Sequence, residues 1–228
     1  MSYGISCKNA SGFTQIDGTY ENLAVWASGT GTAGTTNTFY PIAFPSNTPT
    51  DYVMFAKPST ESGSHALWFS EFPSTSYSSF VIGLPYAATS TISIDWVIAI
   101  RSPEMPNNTS PGYGLEVYKS NGTDQVFSSN NGNFRCQQVA FDNITSVGAT
   151  GTVFSVSNMA GVFSIMSGKS FVGKQIISSE VSMVHCNHAV FNYSANTIRQ
   201  EVLPVQVVGG PSAAFGCGLR TNLIGTFT

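Results

Sequence analysis

Charge is what this chain has least of. Of 228 residues only 9 are Lys or Arg and 12 are Asp or Glu, 9% in all, against about 25% in an ordinary globular domain. So few cations cannot neutralise a row of phosphates, which argues against double-stranded nucleic acid as a partner. An anionic membrane surface is disfavoured for the same reason. Long apolar runs are missing too, so no membrane insertion is expected. Residues 1–12 carry neither the basic stretch nor the apolar stretch of an export signal, and no export is expected. The four cysteines, Cys7, Cys136, Cys186 and Cys217, are widely spaced with no Cys-x-x-Cys pair, so buried thiols are expected.

Neutral polar residues stand in for the missing charge. Ser and Thr supply 53 residues, Asn 16 and Gly 22, beside 42% hydrophobic and 12% aromatic residues. Such a chain can build a core, unlike a disordered one. The residues that coat amphipathic helices are the scarce ones, whereas Ser, Thr, Val, Phe and Tyr suit pleated strands and turns. An all-β fold with little or no helix is therefore predicted, an antiparallel β-sandwich of jelly-roll type. Six Asn-x-Ser/Thr sequons, at Asn9, Asn107, Asn108, Asn121, Asn143 and Asn192, follow from the Ser/Thr-rich composition and are not read as glycosylation sites.

Strands are predicted over 5–8, 13–17, 23–27, 39–44, 52–56, 66–69, 80–84, 92–101, 115–118, 126–127, 135–141, 153–156, 161–166, 176–193, 201–208 and 219–227. Residues 28–37 read as a flexible tract, because no side chain there before Asn37 is both apolar and larger than Ala. Three prolines in 101–112 mark a long loop. One large β domain over 1–228 is expected, the alternative being a split into 1–100 and 113–228 around that loop.

Across the loop the chain matches itself without gaps. Residues 3–16 align with 113–126, with Tyr3/Tyr113, Gly4/Gly114, Gly12/Gly122 and Gln15/Gln125 identical. Each copy reads as a β-hairpin, since Ala-Ser-Gly or Ser-Asn-Gly supplies a tight turn between two β runs.

Motifs for chemistry fall short. Ser167-Gly168-Lys169-Ser170 imitates the end of a phosphate-binding loop, but the required upstream glycine is Phe163, so a turn between strands is expected. His185, Cys186 and His188 are the one cluster of metal-ligating types, and on a strand His185 points away from the other two, so no metal site is assigned. There is no Gly-x-Ser-x-Gly elbow, and the acids, Asp17, Asp51, Asp95, Glu116 and Glu201 among them, are scattered singly as turn residues or solubilisers. Neither catalytic residues nor cofactors are assigned. Recognition surfaces are sought instead among Trp26, Tyr40, Tyr52, Trp68, Tyr77 and Tyr86, most of which should be core. The segment 69–80 mixes aromatics with small hydroxyl residues, and Trp68, Phe69, Phe72 and Tyr77 are the candidate binding residues of a recognition loop.

The run Tyr3-Gly4-Ile5, Asn9-Ala10-Ser11-Gly12 and Gln15-Ile16-Asp17-Gly18-Thr19-Tyr20-Glu21-Asn22-Leu23 resembles the opening of small tail-associated proteins of tailed bacteriophages. The run Gly112-Tyr113-Gly114-Leu115-Glu116-Val117-Tyr118, with Asn121-Gly122 and Val126-Phe127-Ser128-Ser129, resembles a second signature of such proteins, with Lys119 and Ser128 where that signature carries Asn and Asp. The resemblance implies a non-enzymatic virion component of the tail tip, baseplate or fibre region, made in the host bacterial cytoplasm. Its partners would be other tail proteins and further copies of itself in a trimer or ring. The alternative is a lectin-like receptor-binding protein for a host glycan or pilus, and a glycan depolymerase ranks last.

Overall fold

The computed structural model describes residues 7–8, 14–16, 23–34, 40–43, 45, 47–48, 51–74, 77–85, 88–101, 105, 114–129, 133–142, 150–156, 159, 162–166, 171–176, 181–209 and 220–227. In chain order the strands are β1 (Cys7–Lys8), β2 (Thr14–Ile16), β3 (Leu23–Ala33), β4 (Tyr40–Ala43), β5 (Tyr52–Pro58), β6 (Ser64–Ser74), β7 (Tyr77–Gly83), β8 (Ile92–Arg101) and β9 (Glu116–Tyr118). They continue with β10 (Gln125–Ser128), β11 (Asn133–Asp142), β12 (Phe154–Ser155), β13 (Val162–Met166), β14 (Phe171–Ile176), β15 (Val181–Asn192), β16 (Thr197–Gly209) and β17 (Arg220–Phe227). Among the described residues there is no helix and the paired strands run antiparallel, so the described part of the chain is all-β.

Six strands close a ring in the order β11–β17–β13–β5–β8–β3, and seven form an open sheet ordered β12–β16–β15–β6–β7–β4 with β14 also paired to β15. One side of β15 runs along β16 from Val181 to Asn192. Its other side is shared, with Ser182–Cys186 on β14 and His188–Asn192 on β6.

Side-chain alternation explains how ring and open sheet meet. Met54, Ala56, Ile94, Ile98 and Ala33 from β5, β8 and β3 share one buried cluster with Leu67, Ile82, Ala189, Phe191 and Ile198 from the open sheet. The intervening positions Phe55, Val97 and Ala99 form a second cluster with Leu23, Val25 and Val53, on the face turned into the ring. Met54–Pro58 of β5 and Val97–Ile100 of β8 are therefore buried on both faces, which is why these stretches read as near-continuous apolar runs apart from Lys57.

The tract 28–37 corrects the expectation of a flexible loop. Its first part continues β3 to Ala33, pairing Ser28↔Val97, Gly29↔Trp96, Thr30↔Asp95 and Thr32↔Ser93. Glycines here are landing places for rings: a Cβ on Gly29 would lie 2.6 Å from the Trp96 indole, and one on Gly31 would run into the Tyr40 ring. The Tyr40 hydroxyl then donates to the Thr30 carbonyl at 3.1 Å. Ring coverage replaces the packing that glycine cannot supply.

A second correction concerns 69–80, expected as a loop. It is a hairpin, β6 running on through Ser74 and β7 starting at Tyr77, with Phe69↔Ile82, Phe72↔Ser79 and Ser74↔Tyr77 in register. A third concerns 176–193, expected as one strand: β14 ends at Ile176 and β15 begins at Val181.

Both copies of the internal match are hairpins. In the first, Cys7↔Ile16 and Lys8↔Thr14 leave Gln15 as an extra residue; in the second, Val117↔Phe127 and Tyr118↔Gln125 leave Val126. Each copy thus carries a β-bulge in its returning strand. At the second tip the Asn121 side-chain oxygen accepts from the Thr123 and Asp124 amides, both at 3.1 Å, and Gly122 takes φ +72°. Of the Pro-rich segment only Arg101 and Met105 are described. Ser167-Gly168-Lys169-Ser170 and Tyr86 lie outside the described residues.

Candidate polar site at the end of the ring interior

Strands β3, β8 and β5 outrun the ring that holds them. Among the described residues, β11 pairs with β3 at Leu23 and Ala24, and β13 pairs with β5 from Met54 to Ala56. Beyond these contacts the ring-facing row changes character along each strand, from Phe55 to Lys57, from Val97 to Asp95 and Ser93, and from Val25 to Ser28, Thr30 and Thr32. Phe55 and Val97 are fully buried, while Ser28, Thr30, Thr32 and Ser93 are exposed. Lys57 and Asp95 stand directly opposite each other at the transition.

The turn after β5 completes the site. The Ser59 amide donates to the Ser93 carbonyl at 2.9 Å, and its hydroxyl donates to Asp95 Oδ1 at 2.6 Å. Glu61 then places Oε1 on Lys57 Nζ, and Asp95 Oδ2 lies 3.8 Å from the same nitrogen. The Lys57 side chain is 9% exposed, whereas those of Glu61 and Asp95 are 36% and 27% exposed. An ammonium taken out of water needs such company, because desolvation is otherwise very costly.

Tyr193, just past β15, ties this turn to the open sheet. Its amide donates to the Gly63 carbonyl at 2.9 Å and its hydroxyl to the Pro58 carbonyl at 3.3 Å. Its ring stacks on Phe191, with centroids 6.3 Å apart and planes 12° apart, and meets His65 edge-on. Burial first, then the nearby charges of Glu61 and Asp95, push the Tyr193 hydroxyl well above the usual phenol range.

The candidate binding residues fare differently. Trp68 is 3% exposed, opposite Gly83 on one side and His188 on the other, and its indole N–H donates to the Leu84 carbonyl at 3.0 Å. It is a core residue in this chain. Phe69, Phe72 and Tyr77 occupy the hairpin β6–β7, and their side chains lie outside the described residues. Trp26, Tyr40 and Tyr52 pack against the core that ring and open sheet share.

His188 is buried at 1% on the face that carries Trp68 and Glu201. The side chains of His185 and Cys186 lie outside the described residues, and among those described no three His, Cys, Asp or Glu gather into a metal-binding group. Lys57, Ser59, Glu61 and Tyr193 were missed in the sequence, and Asp95 was read as a lone solubiliser. The signal was there: a Lys closing the apolar run 52–56 and an Asp inside the apolar run 92–101 are charges that need each other.

Comparison of the chain with models of known protein families, with curated proteins and with solved structures finds no match.

Proposed function

We propose that the chain is a non-enzymatic structural component of a bacteriophage tail, at the tail tip, baseplate or fibre region, acting by assembly with itself and with other tail proteins and contributing to host attachment. The observation that supports this reading is the uncharged hydroxyl row Ser28, Thr30, Thr32 and Ser93 on the exposed ends of β3 and β8. Interface centres are depleted of charge, because neutral hydroxyls can be covered by a partner at far smaller desolvation cost. At the two ends of the open sheet's strand order, edge strand β4 carries Pro41 and edge strand β12 has two residues, which makes strand addition there unfavourable. A core drawn from ring and open sheet together also supports a sandwich-like packing.

Light scattering on the purified chain tests the proposal, followed by immunogold labelling of virions from a lysate of the source strain. A trimer or ring, with label at the tail, is expected. A monomer that labels no virion overturns the reading, and a monomer that adsorbs to host cells supports the receptor-binding alternative.

A further inference from the structure

We propose that Lys57 and Asp95 condense into an intramolecular amide, a covalent cross-link between β5 and β8, with Glu61 as the proton carrier. The two residues are direct cross-strand partners, and Lys57 Nζ already lies 3.8 Å from Asp95 Oδ2. Their neighbours on the same face, Phe55 and Val97, are fully buried, so the Lys57 stem is fixed and shielded on the ring side. Glu61 Oε1 touches the nitrogen that must lose protons. Ser59 donates to Asp95 Oδ1, polarising the carboxyl carbon and holding the oxygen that remains as the amide carbonyl.

The step balances without any outside reagent. A proton passes from the Lys57 ammonium through Glu61 to Asp95 Oδ2, leaving a neutral amine beside a neutral carboxylic acid. The amine lone pair attacks Asp95 Cγ and the C–N bond forms. Glu61 takes a second proton from the nitrogen and delivers it to Oδ2, the C–Oδ2 bond breaks, and Oδ2 departs as water. Glu61 ends as it began. Nothing is oxidised or reduced. Amine and acid held side by side replace a bimolecular encounter, an advantage that can reach an effective molarity of about 10⁵–10⁸ M. The bond would close the chain between residues 57 and 95 across adjacent strands of the ring.

Intact mass spectrometry of the full-length folded chain decides the matter. The chain is expected to be one water lighter than its sequence requires, and proteolysis should release a branched peptide joining the segments around Lys57 and Asp95. Lys57→Arg and Asp95→Ala should each restore the full sequence mass. Glu61→Gln should form the bond about 10²–10⁴-fold more slowly, the usual contribution of a positioned proton carrier. A wild-type chain that keeps its full sequence mass after prolonged incubation, with folding verified by circular dichroism, overturns the proposal whether or not any variant folds. A Glu61→Gln chain that links as fast as wild type overturns the role of Glu61.

Discussion

Gly83 and Trp68 face each other across β7 and β6, and the indole occupies the space a Cβ at residue 83 would need. Trp68 cannot swing aside, because it is buried and its N–H is held by the Leu84 carbonyl. Gly83→Ala should therefore destabilise the fold by about 1–3 kcal/mol through overpacking, read as a lower urea midpoint with unchanged slope. An unchanged midpoint would show that the ring has room to move. Trp68→Ala should cost about 3–5 kcal/mol, because it removes a large buried side chain. Tyr193 supplies a pH-dependent prediction. Its phenol is neutral at low pH, and its folded pKa is raised above the unfolded value of about 10, so folding holds the proton more tightly. Its contribution is complete below pH about 10 and is lost as the pH rises towards the folded value. Tyr193→Phe should flatten the alkaline limb of a stability–pH profile while costing about 0.5–1.5 kcal/mol at neutral pH for the lost bond to Pro58. Identical alkaline limbs for the two proteins would refute this account.

At the scale of elements, the hairpin tip Lys119–Asp124 isolates backbone strain from packing. A Cβ at Gly122 meets nothing within 4 Å, yet its φ of +72° suits few residues other than glycine. Gly122→Ala should cost about 1–2 kcal/mol from conformation alone, and Gly122→Asn less, because Asn adopts this region more readily. Equal thermal midpoints for the two variants would show that the tip relaxes into another turn. The same scale shows what could be read in the sequence. Apolar runs located β5 and β8, with the bounds of β8 matching at both ends, because Val97–Ile100 is buried on both faces while Ile92–Trp96 alternates apolar with polar Ser93 and Asp95, and both patterns read as strand. The hairpins β1–β2 and β9–β10 were legible from their turn residues. The far half of β3 was not: glycine and threonine look like a loop when the covering rings, Trp96 and Tyr40, come from other parts of the chain. The hairpin β6–β7 was hidden for a related reason, since Ser, Thr and Pro73 mask the strands around Phe69, Phe72 and Tyr77. The polar site was illegible as a cluster because Lys57 and Asp95 meet only through the β5–β8 register.

For the whole molecule the scarcity of charge becomes a testable property of association. Ring and open sheet bury apolar and neutral side chains between them. Among the described residues, Arg101–Asp51 and Lys119–Asp124 are ion pairs with well-exposed partners. Such pairs contribute about 0–1 kcal/mol and are screened by salt. If copies assemble through the hydroxyl row of β3 and β8, little charge is covered or steered, and the Debye length, about 10 Å at 0.1 M and about 3 Å at 1 M, has little to act on. Sedimentation across that range should give an oligomer mass and dissociation constant that change less than about threefold, whereas charge-steered interfaces weaken steeply with ionic strength. Replacing Thr30 and Thr32 by Lys, on strand faces already open to water, should leave the monomer folded while like charges on facing copies oppose contact. A strongly salt-dependent oligomer, or one indifferent to lysine at these two positions, would move the interface away from this face.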